Sequence, residues 1–174
     1  MTTPLVVSDV SKTFTMHLRG GVVIPVVENV SFDLEAGKCA VLGGPSGIGK
    51  SSILKMVYGS YGVETGQIIV SHQDKLVDMA SADPRMVLSV RRETMGYVSQ
   101  FLHALPRVSA IDVVAEPLKQ AGVQGEKAKI SAAILLERLN LPERLWHLPP
   151  ATFSGGEQQR VNICLLYTSD AADE

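Results

Sequence analysis

An α/β fold with an antiparallel β layer and a separate helical part is predicted by three observations. β-rich apolar runs crowd the first hundred residues. One of them, residues 39–42, leads into the glycine-rich stretch 44–51, and a helix-forming run, 51–58, follows it. From residue 101 the apolar spacing turns helical, stops at Pro149-Pro150, and resumes after the glycine pair Gly155-Gly156.

The elements follow in order. Residues 5–10, 22–30 and 31–34 read as strands, the last alternating and ending at Glu35-Ala36-Gly37-Lys38. They suggest an antiparallel layer leaning on strand 39–42. After helix 51–58 comes a turn at Glu64-Thr65-Gly66, then a hairpin of 67–70 and 75–79 around His72-Gln73-Asp74. Residues 84–93 form a helix with Pro84 in its first turn and Arg91-Arg92 near its end. Residues 95–99 read as one more strand. Ser109 caps a helix over 110–120, which Pro117 should kink or end. Residues 126–139 carry a stripe at Ile130, Ala133, Ile134 and Leu136. Short helix 141–147 and helix 157–166 complete the pattern.

Composition narrows the function classes. Hydrophobic residues make up 45% and charged residues 20%, as in a soluble globular domain with a real core. A net charge of −2 gives no electrostatic case for nucleic acid as the main partner. No apolar run approaches a membrane span and no N-terminal signal stands out, so a cytoplasmic location without direct membrane insertion is expected. Cys39 and Cys164 form neither a metal spacing nor a disulfide framework, and Cys39 is expected in the core. The four histidines are scattered without ligand spacing.

Residues 44–51 read Gly-Pro-Ser-Gly-Ile-Gly-Lys-Ser and fit G-x-x-x-x-G-K-[ST] at every fixed position. Gly44, Gly47 and Gly49 let the backbone fold tightly and turn its N–H groups inward, with Pro45, Ser46 and Ile48 between them. The helix N-terminus behind the loop, through Ser52, adds partial positive charge. Lys50 can reach the outer phosphates of a nucleotide, and the Ser51 hydroxyl can hold Mg²⁺.

Three further positions are candidates. Phe14 follows the first strand, where it can stack on an adenine ring or join the core. Gln100 stands at the C-terminal end of strand 95–99, where it can reach a metal or be an ordinary loop residue. Ser154, Gly155 and Gly156 precede helix 157–166 and form a second anion site, with Glu157 and Gln158 beside them.

The phosphate loop together with Ser154-Gly155-Gly156-Glu157-Gln158 resembles the nucleotide-binding domain of ABC-type ATPases, a P-loop NTPase fold. The resemblance implies that two such protomers, self or a related subunit, clamp ATP head to tail. It gives Phe14 the adenine-stacking role and Gln100 a lid role at Mg²⁺. It places Ser154, Gly155 and Gly156 on the γ-phosphate bound by the other protomer. The stretches 96–102, 139–148 and 152–163 resemble the L-type (PhnL) ATP-binding subunits of the bacterial carbon–phosphorus lyase system. That implies a cytoplasmic ATPase partnered with the lyase core complex. Its task would be phosphonate utilisation, in the formation of ribose 1-methylphosphonate 5-triphosphate. The alternative is the ATP-binding subunit of a membrane transporter, or a binding-only remnant.

The family pattern breaks after Ile163. The expected metal-binding Asp, catalytic Glu and switch His do not follow, and Asp173-Glu174 lacks an apolar strand before it. Residues 164–174 reverse-translate to a string resembling a transposon-end sequencing adapter. The sequence therefore predicts an ATP-binding core over 1–100, a helical subdomain over 101–163 and a non-native tail over 164–174. The C-terminal part of the core sheet would be missing and hydrolysis poor.

Overall fold

The computed structural model describes residues 3–16, 20–99, 102 and 106–170, with residues 169 and 170 described by backbone only. The chain divides into two compact units, Met1–Met95 and Gly96–Glu174.

The first unit is a four-stranded antiparallel sheet in the order β2-β1-β3-β4, with two helices. The strands are β1 (Leu5–Met16), β2 (Val22–Leu34), β3 (Thr65–His72) and β4 (Lys75–Asp78). The helices are α1 (Lys50–Val57) and α2 (Pro84–Glu93). Residues 22–30 and 31–34, expected as two strands, form the single strand β2, because β1 runs on to Met16 and pairs with its whole length. Strict alternation would put Val7 and Val10 on opposite faces of β1, yet both are buried. Asp9 between them takes a left-handed φ of 49°, and the register shifts there, so the bulge returns Val10 to the core face. From β3, Ile68, Val70 and His72 follow at period two and are all buried. Gln73 and Asp74 have φ of 47° and 58°, the paired positive values that close a tight right-twisting hairpin. Met56 and Val57 of α1 and Val90 of α2 fill this core. Asp83 caps α2 by accepting from the Arg85 and Met86 N–H groups.

Two expected strands do not form. Residues 39–42 and 95–99 have no strand pairing, Val41 is 86% exposed and Cys39 is exposed rather than in the core. A strand needs a neighbouring strand for its backbone N–H and C=O groups, and no described strand lies beside either segment.

The second unit is helical. It contains α3 (Ala110–Gln120), α4 (Gly125–Arg138), α5 (Glu143–Trp146) and α6 (Gly155–Asp170), with a 3₁₀ turn at Pro150–Thr152. Its core joins Val114 and Leu118 of α3, Leu136 of α4, Phe153, and Val161 and Cys164 of α6. Ser109 caps α3 through the Asp112 N–H at 3.3 Å. Pro117 does not end that helix. It forfeits one bond to the Val113 carbonyl. Val114, Ala115 and Leu118 are nevertheless buried on both sides of it, and the Ala121 N–H reaches the Pro117 carbonyl at 3.0 Å. The buried face of α4 is Ala128, Ala132 and Leu136, whereas Ile130 and Ile134 are exposed. Two of the three large apolar residues of the expected stripe thus face outward, and small alanines let α3 approach. Helix α6 begins two residues earlier than expected and runs unbroken past Ile163, burying Cys164 and Thr168.

Candidate functional site

In the first unit the site is built on the loop ahead of α1. Gly44, Gly47 and Gly49 have φ of 131°, 85° and 98°. Gly49 is required twice over, because a Cβ there would lie 2.3 Å from the Val26 carbonyl oxygen of β2. The loop is thereby pressed against the β layer. Gly49 caps α1 with no side-chain hydrogen bond, and the first turn carries no acidic residue. The donors of that turn and the helix dipole meet no competing carboxylate from α1 itself. The Lys50 ammonium donates to the Gly44 and Pro45 carbonyls at 2.8 and 2.7 Å, which draws the loop around it. Ser51 is exposed beside it, with Ser52 partly buried. This donor set suits a polyphosphate, and the exposed Ser51 hydroxyl could ligate a metal held beside it. Among the described residues, no group of three or more His, Cys, Asp or Glu side chains could hold a metal.

Phe14 lies on β1, opposite Ile24, and is partly buried. Its ring centroid is 5.4 Å from that of Tyr61, at 73° between planes. The Lys12 ammonium lies 5.5 Å from the Phe14 centroid. A surface contact of that kind is worth about 0.5–1 kcal/mol. Stacking of a base on an aromatic ring is worth about 1–3 kcal/mol. A base can therefore displace the ammonium.

The second unit presents the Ser154–Gln158 segment at the head of α6. Ser154, Gly155 and Gly156 are exposed. The Ser154 N–H and hydroxyl both donate to Glu157 Oε2, at 2.8 and 2.7 Å, and the Glu157 N–H reaches Ser154 Oγ at 3.4 Å. This is a capping box. The Ser154 hydroxyl and backbone N–H hold the Glu157 carboxyl below its usual range, with help from Arg160 and Arg144. Gln158 donates to the Phe153 carbonyl at 3.2 Å, and its N–H bonds the Ser154 carbonyl. Glu157 and Gln158, expected at a ligand, thus bond the segment's own backbone and cap. The single proton of the Ser154 hydroxyl goes to Glu157, so an incoming anion has to compete with that carboxylate. Gln100, the expected lid residue, lies outside the described residues. Sequence reasoning missed Tyr61, whose only signal is an aromatic shortly after the loop helix.

A glycine-rich phosphate loop at the head of a helix, set against an antiparallel β layer and accompanied by a helical unit, defines an ATP-binding cassette fold of the P-loop class. The chain belongs to the ABC transporter family, whose model matches residues 27–172. Two similar relatives are lipoprotein-releasing system ATP-binding proteins LolD. That of Hyphomonas neptunium is 37% identical over 90% of this chain and 66% of its own length. That of Novosphingobium aromaticivorans is 40% identical over 83% and 62%. The chain thus spans less than two thirds of these curated relatives. Among solved structures, a dimeric cassette MJ0796 in a post-hydrolysis state bound to ADP and Pi superposes with a TM-score of 0.77 at 27% identity. It covers 95% of this chain and 70% of that one. A second dimeric structure of MJ0796, a bacterial ABC transporter cassette, gives 0.78 at the same identity and coverage. These relatives carry transport names, which favour the expected alternative of a transporter's ATP-binding subunit over the carbon–phosphorus lyase role.

Proposed function

We propose that this chain is the ATP-binding part of a Mg²⁺-dependent ATPase subunit that drives a membrane transporter from the cytoplasmic side. The carrying observation is the loop at 44–51, where Lys50 sits across the Gly44 and Pro45 carbonyls beside an exposed Ser51. In this reading the loop N–H groups and Lys50 hold the phosphates, and Ser51 holds Mg²⁺. Phe14 orients the base. Bound ATP supplies the phosphoanhydride whose hydrolysis releases free energy. Ser154, Gly155 and Gly156 of a second protomer close on the outer phosphate. The names of the relatives and the dimeric cassettes support the transport setting and the pairing.

Equilibrium dialysis of the purified chain with radiolabelled ATP and Mg²⁺ tests the reading. Saturable binding that is weakened in Lys50→Met is expected, and no binding by the unmutated chain would refute it.

The second reading is a subunit of the carbon–phosphorus lyase system. The observation favouring it is the stretch Leu-Asn-Leu-Pro-Glu-Arg-Leu-Trp-His-Leu at 139–148, which resembles that subunit and which the phosphate loop does not require. Affinity capture of the native protein separates the two. A membrane permease among the partners favours transport, and a soluble lyase core favours the second reading.

A further inference from the structure

We infer that Tyr61 is a positioning residue for the nucleobase, setting the Phe14 ring at a fixed place relative to the phosphate loop. The inference rests on the reading of Phe14 as the base-stacking ring. Three contacts bind Tyr61 to Lys55, a residue of the helix that the phosphate loop opens. The Tyr61 N–H reaches the Lys55 carbonyl at 3.1 Å. The Lys55 ammonium donates to the Tyr61 hydroxyl at 3.2 Å and lies 4.9 Å from the ring centroid. Tyr61 then meets Phe14 edge to face, at 5.4 Å and 73°. The following residues tie the same segment to β1 beside Phe14. Glu64 accepts from the Thr13 N–H at 2.8 Å, and its own N–H donates to the Ser11 carbonyl at 3.2 Å. Phe14 sits near the free end of the β1–β2 hairpin, where Met16, Val22, Val23 and Ile24 are exposed. Few buried side chains fix its ring there. Tyr61 supplies that restraint and ties it to α1. A base and a triphosphate are covalently joined, so a fixed span between their two holders is what favours a nucleoside triphosphate over a bare polyphosphate.

The test compares MgATP with Mg-tripolyphosphate, which lacks base and sugar, on the full chain. Tyr61→Met keeps the side-chain bulk and removes the ring. It should weaken MgATP about 3- to 10-fold, the range of an aromatic pair, and leave tripolyphosphate unchanged. Tyr61→Phe keeps the ring edge and should restore ATP binding. Equal loss for both ligands, or no loss for either, overturns the inference. A measurement on the unmutated chain covers a variant that fails to fold: the Tyr61 ring resonances should shift with MgATP and not with Mg-tripolyphosphate. Identical shifts with both ligands would overturn it. Phe14→Leu separates the two levels of the argument. If it leaves MgATP binding intact, the underlying reading of Phe14 fails. If it weakens MgATP while Tyr61→Met does not, only the role of Tyr61 fails.

Discussion

Ser154 and Glu157 satisfy each other at the head of α6: two donors of the serine reach one carboxylate oxygen, and the glutamate N–H returns toward the serine hydroxyl. The pairing orders a first turn that contains two glycines, which alone would fray. It stabilises the ionised carboxyl, so the folded-state pKa lies below the unfolded one. Such a group contributes stability above the unfolded value, and that contribution is lost as pH falls through the folded value. Glu157→Gln should therefore melt at a lower temperature than the parent chain at pH 7. The difference should shrink as the solution is acidified below the ordinary carboxylate range. Thermal melts of both proteins between pH 7 and 3 measure this, and a constant gap across that range would contradict it.

The loop glycines are not equivalent. Gly49 and Gly47 both have positive φ, but a Cβ at Gly47 meets nothing within 4 Å while one at Gly49 runs into the Val26 carbonyl at 2.3 Å. Gly49→Ala should cost about 2–4 kcal/mol, combining left-handed strain with overpacking. Gly47→Ala should show the backbone strain alone, about 1 kcal/mol. Urea unfolding of the two variants should rank them in that order.

In the proposed reading Lys50 contributes to ligand rather than to fold. Its two carbonyl bonds lie in an exposed loop, so Lys50→Met should leave the melting temperature nearly unchanged. Loss of a charged donor to phosphate costs about 1.5–3 kcal/mol. Affinity for MgATP should fall about 10- to 100-fold, as read by isothermal titration.

Features written in local chemistry were legible in the sequence. The Gln73-Asp74 hairpin, the α2 span with Pro84 at its start, and the Ser109 cap each follow from one or two residues and their neighbours. The loop at 44–51 was legible for the same reason, since glycine, lysine and serine are demanded by backbone geometry and charge. What failed depended on distant partners. Residues 39–42 and 95–99 have strand composition, but a strand exists only with a neighbour. The bulge at Asp9 and the merging of two runs into β2 depend on how β1 pairs. The α4 face was misread because Ile130 and Ile134 outweigh alanine on any hydropathy scale, while close helix packing selects Ala128 and Ala132. The Glu157 role was missed because its serine partner was already claimed for a phosphate.

The two cysteines should react differently. Cys39 is exposed, whereas Cys164 is buried in the helical core, and burial raises its thiol pKa to about 11. The thiolate is the reacting form, so at pH 8 Cys164 is both shielded and protonated. Iodoacetamide should modify Cys39 in the native chain and both cysteines in guanidinium, as counted by intact mass. Equal native labelling would show that α6 does not hold Cys164 in the core.

The packing of α4 gives the last prediction. Leu136 is fully buried against α3 and α6, while Ile130, one of the larger apolar residues on the same helix, is 59% exposed. Truncating a buried leucine removes its transfer free energy and leaves a cavity, so Leu136→Ala should cost about 2–5 kcal/mol. Ile130→Ser removes a similar amount of apolar bulk from the outer face. It should change stability by no more than about 0.5 kcal/mol, because little of that surface leaves water on folding. Adding Ala132→Leu to the otherwise unmutated chain should also destabilise, since α3 lies against that alanine and extra methylenes there force the helices apart. Denaturant melts of the three variants decide between the two faces. If Ile130→Ser proved as costly as Leu136→Ala, the side of the helix carrying Ile130 would be buried too, against the exposure found for it.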